Sequence, residues 1–446
     1  MIEVSRKTIG YREAVSIGVG GMVGGGIFAV LGLAVQLAQG GTPVAFAIAG
    51  VVALLTAYSY AKLSVAFPSQ GGTVSFLVRA FGTGIFSGSM NVLLWMSYIV
   101  MLSLYAYAFG SYGATFLPAS LQPIGKHLLI TGSVVLISGL NMLSAKAIGE
   151  AEDLIVGLKI SILLLFVGLG IWGIEADRLA PAAWSPMLSL ISGGMIIFVA
   201  YEGFELIANT AKDVRKPETT LPRAYYSAVV FVIALYVLVS VVAVGSLSLD
   251  QIAASRDYAL AEAAKPFMGQ AGFGLIAVAA LLSTASAINA TLYGAARLSY
   301  IIAKDGELPE FLEQKIWNKP LEGLFITTGL TIMVANISDL SSISTMGSAG
   351  FLLIFAAVNW ANVKMAKDTG GIWPISALGT AACIGAFFAL LWQTVGTSPR
   401  QILVLFVMIG LAVVIEVIYR KFRPREIKCD RDCDNVGISK TGGHSE

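Results

Sequence analysis

Charge, histidine and cysteine are what this sequence has little of. Only 13% of its 446 residues are charged and 2 are histidines. That scarcity excludes a soluble globular domain, which carries roughly a quarter of its residues as Asp, Glu, Lys or Arg. With 56% hydrophobic residues and a mean hydropathy of +0.79, the chain cannot hide its apolar surface from water, and lipid is the solvent that remains. A net charge of only +2 provides no basic surface for nucleic acid. His127 stands beside an outer loop and His444 in the tail, so a histidine proton relay is excluded. Without a histidine or paired cysteines within the spans, the nucleophile–base or metal constellation of an intramembrane enzyme cannot be assembled. The cysteines, Cys383, Cys429 and Cys433, do not make a disulfide framework. Cys429 and Cys433 share a polar tail with His444, which is open to a weak metal site or, more blandly, to an unstructured tail. No cofactor, resident metal or obligatory protein partner is expected; the partners implied are the bilayer and a small molecule.

What is present in abundance is long apolar runs. A bilayer core about 30 Å thick needs roughly 20 apolar residues per helix, and such runs fall near 13–38, 43–67, 84–116, 127–143, 154–173, 188–211, 224–246, 269–302, 321–337, 341–362, 372–394 and 401–419. The first begins after Arg12 and is too long and glycine-rich for a signal-peptide core, so it reads as a retained helix. An even number of spans puts both termini on one side. Of the 29 basic residues, Lys126, Arg178, Arg256, Lys265 and Arg400 fall on the opposite side, Arg297 near the inner end of its helix, and Lys159 inside span five. The remainder, about 22, cluster at the termini and the loops on their side, which makes both termini cytoplasmic and the membrane that of the cell. Residues 68–83, with Gly71 and Gly72, read as a re-entrant or interfacial turn. Residues 247–267 read as short amphipathic helices on the outer face, either a lid or a plain solvated loop. Residues 304–320 form a charged inner loop, and the tail from Lys421 is polar and disordered by composition.

Span one carries six glycines, Gly18, Gly20, Gly21, Gly24, Gly25 and Gly26. Glycine costs about 1 kcal/mol against alanine inside a helix, so the cluster needs a reason. Close helix packing is one. Packing glycines recur on one face, however, whereas the contiguous Gly24-Gly25-Gly26 point in three directions, which favours a helix unwound near Val23 to Gly25. At the midplane such a break is tolerated only where its freed backbone groups line a cavity or meet a ligand. The second half-helix turns N–H groups and a positive dipole end into the gap, and the first turns carbonyls. An amino-acid zwitterion satisfies both. Span six supplies a matching interruption, Ser192-Gly193-Gly194 followed by Phe198-Val199-Ala200-Tyr201-Glu202-Gly203-Phe204-Glu205, with Glu202 and Glu205 amid apolar residues. Carboxylates at that depth are either functional or paired with basic groups on neighbouring helices. Two interrupted spans, five apart, give the fold expected: an all-α integral membrane protein of twelve helices, as a five-plus-five inverted repeat with helices 1 and 6 broken and two helices added. Repeat one covers about 10–173, repeat two about 188–362 and the added helices about 372–419, in one transporter domain over 1–420, followed by the tail 421–446.

The segments Gly-Gly-Met-Val-Gly-Gly-Gly-Ile-Phe at 20–28, Phe-Val-Ala-Tyr-Glu-Gly-Phe-Glu at 198–205, Asn-Thr-Ala-Lys-Asp-Val-Arg-Lys-Pro-Glu-Thr-Thr-Leu-Pro-Arg-Ala at 209–224 and Ala-Lys-Asp-Gly-Glu-Leu-Pro at 303–309 resemble the amino acid–polyamine–organocation permeases. Over about residues 8–420 the chain is similar to this family of leucine-transporter-like fold, and most similar to its archaeal proton-coupled members of broad amino-acid specificity. The resemblance implies a substrate carboxylate at the amides of Gly25 and Gly26. It places the α-amine at the carbonyls of Met22 and Val23 with Phe198, Val199 and Glu202, and side-chain selectivity at Tyr98, Met101, Tyr105 and Tyr201, residues that could equally be packing. Lys159 on sequence alone could snorkel to the inner headgroups. The resemblance implies instead that its ammonium occupies the position of a sodium ion, near carbonyls of Gly20 and Val23 and hydroxyls of Ser283, Thr284 or Ser286, so that protons replace sodium. Glu205 is the second proton candidate. The function expected is therefore a proton-coupled, sodium-independent amino-acid transporter, with amino-acid or polyamine exchange as the alternative. A channel would share the helices but would not need two broken ones.

Overall fold

The structure, a computed structural model, describes residues 8–143, 145–304 and 321–422. All of its regular elements of more than a bridge are helical among the described residues. Apolar runs become helices because lipid offers no partner for backbone N–H and C=O groups, which must then bond within the segment. In chain order these are α1 (Tyr11–Met22), α2 (Gly26–Ala38), α3 (Thr42–Ala66), α4 (Gly72–Phe81), α5 (Ile85–Ala114), α6 (Gln122–Leu143), α7 (Ala145–Gly170), α8 (Met187–Ile196), a 3-10 helix Phe198–Asp213, α9 (Pro217–Ser246), α10 (Leu249–Ala254), α11 (Ala259–Lys304), α12 (Leu321–Ile337), α13 (Leu340–Lys364), α14 (Ala366–Thr369), α15 (Trp373–Thr397) and α16 (Pro399–Phe422). Among the described residues 9 helices are long and apolar enough to cross a membrane, or up to 11 if each of two bent pairs is one span; α12 is shorter, at 17 residues.

The two bent pairs are the interrupted runs of the sequence. α1 and α2 meet at 44°, and α8 meets the 3-10 helix at 42°. Both breaks lie in the centre of the molecule. α1 packs on the 3-10 helix and on α9, and α5 runs through the core, its faces taken by α6, α11, α12, α13 and α16. The large buried side chains Phe28, Phe46, Tyr60, Phe198, Tyr201 and Tyr236 sit around the breaks, whereas α15 and α16 turn Phe388, Trp392, Leu403 and Phe406 outward to lipid. The turn expected at 68–83 contains the ten-residue helix α4, and the segment 247–267, expected on the outer face, contains α10 and a turn of 3-10 helix at Arg256–Tyr258. α11 is kinked at Gly269, whose φ of +62° lies in the left-handed region that favours glycine. The tail with Cys429, Cys433 and His444, and nearly all of the loop 304–320, lie outside the described residues.

Candidate functional site

α1 stops at Met22 and α2 starts at Gly26, so Val23, Gly24 and Gly25 form the interruption expected. Gly25 has φ −112°, a conformation open to any residue, so its lack of a side chain serves room and not a left-handed turn. A β-carbon on Gly25 would overlap the Tyr105 ring, and one on Gly26 would sit 2.8 Å from Ala200 Cα. Gly21 and Gly203 face each other backbone to backbone. The glycines therefore do both things weighed above: they leave span one broken, and they let the two broken spans touch.

The freed backbone groups have identifiable partners. Met22 O accepts from the Tyr236 hydroxyl at 2.6 Å, and the same hydroxyl reaches Ala200 O at 3.3 Å, tying both breaks to α9. Ser283 on α11 donates to Val23 O at 2.8 Å and is shared with Gly24 O. Thr284 instead bonds back to Ala280 O and Leu281 O within its own helix, and Ser286 is buried nearby in sequence. At the second break, Ser344 and Ser348 on α13 each donate to Ile196 O at 2.7 Å, and Ser348 accepts from Val199 N–H at 2.9 Å. What remains is the N–H end of α2: Gly25 and Gly26 open that helix, and amides in its first turn have no acceptor within it. With the positive dipole end behind them, they suit a carboxylate.

Lys159 is 1% exposed and turned into the protein, not along the lipid, and its Nζ donates to Gly20 O at 3.0 Å. α7 thus delivers an ammonium to the last turn of α1, where carbonyls and a helix C-terminus favour a cation. Glu205 is also buried, and three hydroxyls hold it: Tyr98 on α5 donates to Oε1 at 2.5 Å, and Tyr60 on α3 and Thr73 on α4 each donate to Oε2 at 3.2 Å. Met22, Val23, Phe198, Val199 and Tyr201 are all buried, as is Met101. Tyr201 spends its hydroxyl on Phe46 O at 3.0 Å and packs its ring, tilted by 55°, against Tyr236, so it packs behind the breaks. Tyr236, Ser344, Ser348, Tyr60 and Thr73 are contributors that the sequence did not single out. A hydroxyl in an apolar helix looks like ordinary packing until its partner carbonyl is known.

Residues 9–415 match the family model described as amino acid permease. The chain is 37% identical over 434 residues to an uncharacterised protein of Methanocaldococcus jannaschii, covering 95% of this chain and 98% of the relative. It is 31% identical over 418 residues to the inner membrane transport protein YbaT of Escherichia coli, covering 93% and 97%. A third relative, the methylthioribose transporter of Bacillus subtilis, is 25% identical over 379 residues, 81% of each chain. A match over nearly the whole chain, together with the paired breaks at its centre, means that the protein belongs to the amino acid permease family of the amino acid–polyamine–organocation superfamily and is a membrane transporter, not an enzyme.

Proposed function

We propose that the chain is a secondary active transporter that moves amino acids across the cytoplasmic membrane by alternating access, coupled to protons and independent of sodium. The observation that carries this reading is the buried Lys159 ammonium, 3.0 Å from Gly20 O, beside a break whose Val23 and Gly24 carbonyls are held by Ser283. Carbonyls and hydroxyls are the oxygen set a hard cation uses. An ammonium placed among them takes the position of the ion, and it can release and regain a proton during the cycle, as a sodium ion cannot. Glu205 is the secondary proton candidate; it ties the broken span six to α3, α4 and α5 through Tyr60, Thr73 and Tyr98.

The substrate carboxylate meets the amides of Gly25 and Gly26. Its α-amine lies among Met22, Val23, Phe198 and Val199. Counting each bent pair as one span and α12 as a short twelfth gives twelve helices, read as two inverted five-helix repeats, about 10–173 and 188–362, with α15 and α16 added. The distribution of basic residues puts both termini in the cytoplasm.

Uptake of radiolabelled amino acids into proteoliposomes tests the reading. It should proceed in sodium-free buffer and rise as the outer pH falls. Dependence on sodium would overturn it, and dependence on amino acid preloaded inside, without any effect of a pH gradient, would make the protein an exchanger.

A further inference from the structure

The 3-10 helix carries two carboxylates in unlike surroundings. Glu205 is satisfied by three hydroxyls. Glu202 is 3% exposed, receives only a long 3.5 Å contact from the Tyr105 hydroxyl on Oε1, and has no hydrogen-bond partner for Oε2 among the described residues. The Tyr105 ring that faces this carboxylate also lies against Gly25, so Glu202 borders the break in span one and is not lost in packing between helices. A buried carboxylate oxygen with no donor is expensive, so such a group in a membrane interior is ionised only when it meets a counter-charge and otherwise holds a proton.

Among the described residues no basic side chain bonds Glu202. The buried ammonium at the site, Lys159, donates to Gly20 O in the last turn of α1. The carbonyls at the breaks already accept protein donors, Met22 O from Tyr236, Val23 O and Gly24 O from Ser283, and Ile196 O from Ser344 and Ser348; their remaining lone pairs can take an α-ammonium but bring no positive charge to Glu202. Among the described residues two carboxylates, Glu202 and Glu205, and one ammonium, Lys159, are buried on the broken spans or bonded to them. A neutral zwitterion leaves that imbalance unchanged, whereas a substrate carrying one further positive charge removes it.

We infer that Glu202 is a specificity-determining residue which selects substrates bearing a side-chain ammonium or guanidinium, so that the carrier prefers cationic amino acids to neutral ones and discriminates most strongly against acidic ones. The inference rests on the transport reading proposed above. A guanidinium suits it best, because its paired N–H groups can meet both carboxylate oxygens at once. Acidic side chains fail because they would bring a second negative charge against Glu202 in a water-excluded pocket.

Competition of arginine, lysine, leucine and glutamate for binding to the purified full-length protein tests this. Arginine or lysine should half-saturate at least about tenfold below leucine, with glutamate weakest. In Glu202→Gln the cation-to-leucine ratio should fall to within about twofold and glutamate should gain, while Glu202→Asp keeps the wild-type order. Equal affinity for arginine and leucine in the wild type, or an unchanged order in Glu202→Gln, overturns the inference and leaves the transport reading standing; equal arginine and leucine with weak glutamate would mean that Glu202 meets the α-ammonium instead. A wild type that binds none of the four would remove both. Should Glu202→Gln fail to fold, the wild-type order alone decides.

Discussion

Gly26 shows how much a single missing side chain does here. Its β-carbon would stand 2.8 Å from Ala200 Cα, a backbone atom that cannot rotate away. Gly26→Val should therefore push the two broken spans apart at a cost of about 1–3 kcal/mol, and cover the amides proposed to meet the substrate carboxylate. We expect the variant to insert and purify with its helical circular dichroism intact but to bind no amino acid; normal uptake would show that these glycines serve packing alone. The break itself was legible because three contiguous glycines have no helical use. Its supports were not: Tyr236, Ser344 and Ser348 act through backbone groups of Met22, Ala200, Ile196 and Val199 that are far away in sequence. Lys159 lay between, since its depth was readable from the charge pattern but its direction, inward to Gly20 and not outward along lipid, is a property of helix packing.

Whole elements were easier to read than their ends. Hydropathy detects the part of a helix at lipid depth, and the helix continues into the polar margin, where α6 starts at Gln122 and α9 at Pro217, several residues before the apolar runs near 127 and 224. Pro217 suits a first turn, where its missing N–H has no acceptor to lose. The 3-10 winding of Phe198–Asp213 was not legible, because a segment apolar on most sides shows neither a period of 3.0 nor one of 3.6 clearly. The outer segment is tied down by more than a solvated loop would need. Asp257 bonds Lys126 of α6 at 2.9 Å and the Tyr107 hydroxyl of α5 at 3.0 Å, and Lys126 lies over the Tyr107 ring. Arg256 presses its carbonyl on Gly32 of α2, beside a cavity of about 300 Å³ bordered by Gln36 and Tyr258. Burial works against the charge of Asp257, but Lys126 and Arg256 outweigh it and hold the carboxyl below the usual range. A lowered carboxyl contributes stability above its unfolded value, about 3.9, and loses it only as the pH falls through the lower folded one. This fastening is thus intact from pH 5 to 8, and changes in uptake there do not come from it. Asp257→Asn should raise hydrogen exchange over residues 249–258 by about fivefold, the equivalent of about 1 kcal/mol; unchanged exchange would mean the segment is held by its apolar contacts.

On the scale of the whole molecule, three separate uses of charge divide the labour. Basic residues at the margins are proposed to orient the chain in the bilayer, the cluster around Asp257 fastens α10 and its neighbours to α2, α5 and α6, and three of the buried charges, Lys159, Glu202 and Glu205, lie on the elements that form the two breaks or contact them. If the carrier works by alternating access, as proposed, the last group must respond to what is bound, and Lys159 is the member that contacts α1 from α7, bridging a broken span and an unbroken one. If its proton is the coupled ion, loss of the side chain uncouples without destroying the backbone site at Gly25 and Gly26. Lys159→Ala should then lose accumulation driven by a pH gradient, while exchange of internal for external substrate survives to the extent that the variant still binds. A lysine that merely anchored its helix would contribute about 1 kcal/mol, and the variant would accumulate substrate at nearly the wild-type rate. The comparison is uptake by wild type and Lys159→Ala under imposed pH gradients, in sodium-free buffer, with and without internal amino acid. A variant that still follows the pH gradient would transfer the coupling role to Glu205, whose three hydroxyl partners could relay a proton toward α3, α4 and α5.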